Sequence, residues 1–231
     1  ATQGFADYVD DIEALMQTLN IDRAHFLGHS LGGGMLFSFV ADNASKVLSL
    51  TLVNPASPYG FGGTKGKNGI PCMTDFAGSG GGIVNPDFVQ RLNDKDRSTA
   101  DENASPKAVM KRYYWKPPFV PDNMDELLES LFQEKIGDKH YPGDYYKSPH
   151  FPFVRPGVYG PMNAASPKYL AGKADEFVQT SSKPDVMWIR GSHDEVVSDQ
   201  SVFDPGALGK IGLLPDYPGE EIFPPQPMVS Q

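Results

Sequence analysis

The sequence predicts an α/β protein: a parallel sheet with flanking helices, interrupted by a long and largely helical insertion. Three observations carry that prediction. Helical and extended patterns alternate over the first fifty or so residues, as helix, strand, helix, strand. Between the first strand and the second helix runs Gly28-His29-Ser30-Leu31-Gly32, a turn rich in small residues. Buried-strand character then vanishes for more than a hundred residues and returns at Asp185-Val186-Met187-Trp188-Ile189.

The first helix is amphipathic. Phe5, Tyr8, Val9, Ile12, Leu15, Met16 and Leu19 recur at three- and four-residue spacing, with Asp7, Asp10, Asp11 and Gln17 opposite, and Asn20 closes it. Ala24 to Gly28 reads as a short buried strand, which places His25 in the core. Leu31 to about Ala41 is apolar almost all round, as expected of a helix packed under a sheet. Val47 to Val53 is a second buried strand, ended by Asn54-Pro55. This alternation implies parallel pairing through right-handed crossovers.

Residues 58–183 form the insertion, rich in glycine, proline and aromatics. Asn85-Pro86 and Ser105-Pro106 each read as an N-cap followed by proline at the first helical position. A third helix starts at Asp122 or Asn123 and runs to a stop at Gly137, and Ser166-Pro167 opens a fourth. Residues 1–57 and 184–231 make up the sheet-bearing core. Within the latter, a short helix is expected from Ser198 through Phe203, with loop from Gly206 onward.

Bulk properties narrow the function classes. The formal net charge is -9, which argues against nucleic acid or an anionic membrane as partner. No apolar run reaches the roughly 20 residues of a membrane span. Cys72 is the only cysteine, so an internal disulfide is excluded, and it reads as a small buried hydrophobe. The glycine cluster 78–82 lacks the Gly-Lys-Ser/Thr of a phosphate loop and reads as a hinge. Nothing in the sequence fixes a compartment, and a cytoplasmic location is the expectation.

Gly28-x-Ser30-x-Gly32 between a strand and a helix is the nucleophile-elbow pattern. In such a turn the serine takes a strained backbone that lifts its hydroxyl clear of the sheet. Glycines two before and two after let strand and helix approach. The Leu31 N–H at the helix N-terminus can then stabilise an oxyanion. The plainer alternative is a glycine-rich turn with Ser30 capping the helix.

Gly28-His29-Ser30-Leu31-Gly32-Gly33, the strand ending at Asn54-Pro55, the long insertion, and Trp188-Ile189-Arg190-Gly191-Ser192-His193-Asp194 together resemble the α/β-hydrolase superfamily. More narrowly they resemble its serine hydrolases with a helical cap. The resemblance implies Ser30 as nucleophile and Asp194 as acid. The other position used for the acid, after the second strand, holds Asn54-Pro55-Ala56-Ser57 and no carboxylate. Asp194 could instead simply cap the helix that follows it. The resemblance also implies a histidine after the acid, yet His25, His29, His140, His150 and His193 all precede it. His29 reads as a pocket-wall or scaffold residue.

The missing base is expected beyond Gln231 and the second oxyanion donor before Ala1, so the chain reads as an internal piece of a longer hydrolase, itself inactive. The expected partner is a small-to-medium apolar ester, lactone or related carbonyl compound, with no metal or organic cofactor. Aromatic residues of the insertion, among them Tyr113, Tyr114, Tyr141 and Phe151, are candidates to wall its pocket. The alternative is a non-catalytic ligand-binding or interaction protein on the same scaffold.

Overall fold

In the computed structural model, which describes residues 2–170 and 172–231, three parallel strands form the central sheet. They are β1 (Ala24–His29), β2 (Val47–Val53) and β3 (Asp185–Ile189), in that spatial order. Helix α1 (Phe5–Thr18) precedes β1, and α2 (Leu31–Asn43) connects β1 to β2. The register runs Gly28↔Leu52↔Trp188 and His29↔Val53↔Ile189. All three strands therefore end level, and the residues that follow them, Ser30, Asn54 and Arg190, emerge side by side at the carboxyl edge.

Pleating divides the sheet residues between two faces. Phe26, Leu50, Leu52 and Trp188 face the helices. Phe26 packs tilted against Phe39, ring centroids 4.8 Å apart, and Trp188 against Phe37 at 5.9 Å. Phe39, Leu50 and Leu52 lose all contact with water. Each such side chain contributes about 1.5–3 kcal/mol of burial, so the core of the sheet lies between it and α2. The opposite face is bare: Leu27 is 68% and Met187 61% exposed. His25 lies on this open face, not in the core, and its Nδ1 sits 2.7 Å from Ser49 Oγ. Strand alternation, invisible in a run of six residues, put it there. Among the described residues both outer strands have free edges. Along that of β1 runs an apolar groove of about 350 Å³ flanked by α1 and α2, where Leu15 and Leu19 of the expected helical face remain exposed.

The segment between β2 and β3 folds as several small clusters. Helices α3 (Pro86–Asn93), α4 (Pro106–Tyr113) and α5 (Met124–Leu131) share a core of Leu92, Met110, Met124, Leu128 and Phe132. The proline-led starts at 86 and 106 are as expected, and Asn85 caps α3 by accepting from Asp87 N–H. Helix α5 stops at Leu131, six residues before Gly137. The short helices α6 (Pro161–Ala164) and α7 (Pro167–Leu170) pack beside Phe5, and α8 (Lys173–Gln179), unforeseen in the sequence, lays Phe177 edge-on against Phe37 at 5.2 Å.

The last expected helix is displaced. Residues 198–203 form turns, and α9 runs Pro205–Lys210 instead. Asp204 caps it through Ala207 N–H with proline at the first position, the same device as at 85–86. The chain beyond folds back on residues 57–66. Buried Gln226 accepts from Gly62 N–H at 2.7 Å and donates to Gly60 O at 2.8 Å, and Gln231 accepts from Ser57 Oγ at 2.8 Å. Among the described residues no helix is long and apolar enough to cross a membrane.

Candidate active site

Ser30 sits where β1 turns into α2, with φ 52° and ψ -119°. Few non-glycine residues hold such a conformation, and it costs about 1–3 kcal/mol unless neighbours fix it. Here the main chain does so. Ser30 N–H donates to Val53 O at 3.1 Å, while Ser30 O accepts from Gly33, Gly34 and Ala56 N–H at 3.0–3.2 Å. Although Ser30 occupies the N-cap position of α2, its side chain makes no capping hydrogen bond.

The glycines around it are not equivalent. A Cβ on Gly28 would lie 2.7 Å from Gly32 O and 2.7 Å from Leu36 Cδ1. A Cβ on Gly32 would meet nothing within 4 Å. The expected close approach at Gly32 belongs instead to Gly33, whose Cβ would lie 2.7 Å from Pro55 Cβ. The helix rotates Gly32 toward the open groove beside β1 and Gly33 toward the loop after β2. Leu31, as first residue of α2, has an N–H with no acceptor four residues back within the helix.

Asp194 lies in the turn beyond β3, whose end is two strands from that of β1, roughly 9–10 Å at ordinary strand spacing. Its Oδ1 accepts from Val196 and Val197 N–H, both at 2.9 Å, so this carboxylate caps a turn and not the helix expected after it, which forms only at Pro205–Lys210. Among the described residues Oδ2 has no hydrogen-bond partner. No hydrogen bond joins Ser30 to Asp194, or any histidine to either of them, among those residues. His29 projects into solvent from the bare face of the sheet and borders the groove beside β1. His193 is held between Ser192 Oγ at 2.9 Å and Lys116 Nζ at 3.1 Å. His25 is at the opposite end of β1.

No rival nucleophile arises from Cys72. Burial pushes its thiol up to about 11, leaving it neutral at physiological pH. Two of the candidate pocket aromatics pack on other rings: Phe151 edge-on against Tyr217 and Phe223, and Tyr113 against Phe203. Asn54, which the sequence marks only as the end of the second strand and as no carboxylate, has a further part. It has φ 41° and binds Gly191 N–H through Oδ1 at 2.7 Å. Its one sequence signal is an asparagine, tolerant of left-handed backbone, ending a strand before proline.

A family model described as alpha/beta hydrolase fold matches residues 2–208. The chain belongs to the alpha/beta hydrolase fold family. Solved structures similar to this member of the family include one from work on carboxylesterases of the thaumarchaeon Nitrososphaera gargenis, 16% identical, covering 84% of this chain and 56% of that one with a TM-score of 0.37. A probable hydrolytic enzyme from Pseudomonas aeruginosa is 14% identical over 98% of this chain and 62% of its own, with a TM-score of 0.40. Naproxen esterase from Bacillus subtilis is 17% identical over 83% and 59%, with a TM-score of 0.40. The chain thus spans 56% to 62% of the length of these hydrolases. No curated protein matches it.

Proposed function

We propose that this chain carries the nucleophile and the acid of a serine hydrolase acting on small-to-medium apolar carbonyl compounds, esters or lactones foremost. One observation supports this above the rest: Ser30 holds a strained backbone conformation yet spends its hydroxyl on no helix cap. A capping serine would adopt extended backbone and bond a first-turn N–H.

In this reading Ser30 Oγ adds to the carbonyl carbon while a histidine takes its proton. The carbonyl π pair moves to oxygen, and Leu31 N–H stabilises the oxyanion. Collapse of the tetrahedral intermediate expels the alkoxide, which leaves with the histidine's proton. Water then attacks the acyl-serine by the same route, regenerating Ser30 and releasing the acid. Asp194 Oδ2 would orient the imidazole and stabilise its cation.

The second reading is a ligand-binding protein on the same scaffold. It is favoured by the absence, among the described residues, of any hydrogen bond from a histidine to Ser30 or Asp194. Fluorophosphonate labelling of the full-length protein, with Ser30→Ala as control, separates the two. Labelling that disappears in the variant supports the hydrolase. Labelling that persists removes Ser30 from the chemistry. No labelling, combined with reversible binding of an ester, supports the binder. The 231-residue chain alone is expected to show negligible turnover of p-nitrophenyl butyrate, and Ser30-dependent hydrolysis by it would contradict that.

A further inference from the structure

Between the two groups of the proposed reaction stands a residue with no part in its chemistry. The stretch 53–56 at the end of β2 is bonded on both sides. On one, Val53 O accepts from Ser30 N–H at 3.1 Å, and Ala56 N–H donates to Ser30 O at 3.0 Å. On the other, Asn54 N–H donates to Ile189 O at 2.9 Å, completing the ladder with β3. There regular pairing stops, because the chain turns left-handed at Asn54 and leaves β2.

Gly191 N–H therefore meets no main-chain acceptor on β2. It donates instead to Asn54 Oδ1, at 2.7 Å. Gly191 O in turn accepts from Asp194 N–H at 3.2 Å, closing the turn that presents the carboxylate. The Asn54 side chain thus acts as one more rung, past the end of the sheet, and it ties the Asp194 turn to the stretch that anchors Ser30. An amide does this without adding a second negative charge beside Asp194.

We propose that Asn54 is a positioning residue that fixes the Asp194 turn against the Ser30 elbow. Its catalytic consequence rests on the hydrolase reading above, whereas the tether itself does not. Small displacements of a catalytic group cost rate even when binding is intact, so losing the tether should act on the chemical step.

Two variants of the full-length protein test this. Asn54→Gly keeps the left-handed backbone and deletes the acceptor; Asn54→Asp keeps both. Amide hydrogen exchange across residues 190–197 should accelerate about tenfold in Asn54→Gly and return to the parent rate in Asn54→Asp. The maximal rate of fluorophosphonate inactivation should fall about tenfold in Asn54→Gly, with the half-saturating probe concentration unmoved. Unchanged exchange in Asn54→Gly overturns the tether. Accelerated exchange with an unaltered maximal rate, or a loss confined to probe affinity, overturns its catalytic role. If the parent protein is not labelled at Ser30, the hydrolase reading fails, and exchange alone supports or overturns the tether.

Discussion

The main-chain N–H of Gln226 donates to Asp204 Oδ2 across 3.1 Å, and each of the two residues is only 1% exposed. Ala207 N–H donates to the same oxygen at 2.9 Å, while Asp204 Oδ1 has no partner among the described residues. One buried carboxylate thus holds both α9 and the returning chain end with half of its acceptor capacity idle.

Burial raises the Asp204 pKa from 3.8 to about 6, against the opposing pull of its backbone donors. A carboxyl that is a weaker acid in the folded state binds more protons there than when unfolded. Stability from this group is therefore complete below pH 3.8 and is lost as pH rises through about 6. The ceiling is about 3 kcal/mol. Thermal melts should show an Asp204-dependent gain between pH 7 and pH 5, and Asp204→Asn should flatten it. The difference between parent and variant isolates the effect from carboxylates such as Asp96, whose pKa is lowered by the Ser98 N–H and the Arg91 ion pair and which act in the opposite direction. A parent-minus-variant profile independent of pH would show that Asp204 is already ionised at pH 5.

The elbow glycines separate by geometry. Gly28→Ala and Gly33→Ala each press a Cβ to 2.7 Å from atoms with little freedom to move, so each should destabilise by about 1–3 kcal/mol. Gly32→Ala meets open space in the first turn of α2 and should be neutral or stabilising by up to about 1 kcal/mol. Urea unfolding of the three variants checks the ranking. A destabilised Gly32→Ala alongside an unaffected Gly33→Ala would reverse the assignment.

Much of this was legible in the sequence, and the limits have physical causes. The order α1, β1, α2, β2 follows from hydrophobic period, and the strand–turn–helix position of Ser30 follows from glycine spacing. Which glycine is crowded depends on helix rotation against Pro55, a contact made only in three dimensions. His25 read as buried because a short apolar strand does not reveal that one sheet face is bare. The helix expected at 198–203 formed at 205–210 because the Asp204-Pro205 start outweighs the weak apolar signal before it. Asn54 and Gly191 are 137 residues apart, beyond any local pattern.

The chain end depends on Gln226. Its Oε1 accepts from Gly62 N–H, and its Nε2 donates to Gly60 O and Gln231 Oε1. Gln226→Ala strands the Gly60 and Gly62 groups in a buried site and should cost about 2–3 kcal/mol. Gln226→Glu deletes the donor and adds a buried charge, so it should cost at least as much. Limited proteolysis should cut within residues 211–231 faster in both variants. Parent-like resistance in Gln226→Ala would mean that apolar contacts of Phe223 and Met228 suffice.

Backbone strain at Ser30 makes one last claim measurable without any substrate. At φ 52° and ψ -119° glycine is at ease and any side chain is not. Ser30→Ala removes the hydroxyl but keeps the strain. Ser30→Gly removes both, at the expense of about 0.5–1 kcal/mol of added chain freedom in the unfolded state. Set against about 1–3 kcal/mol of relieved strain, Ser30→Gly should be the more stable of the two by about 1 kcal/mol, although on the proposed hydrolase reading both should abolish labelling. If Ser30→Ala proves the more stable, the turn is relaxed, and nothing holds the hydroxyl out for attack.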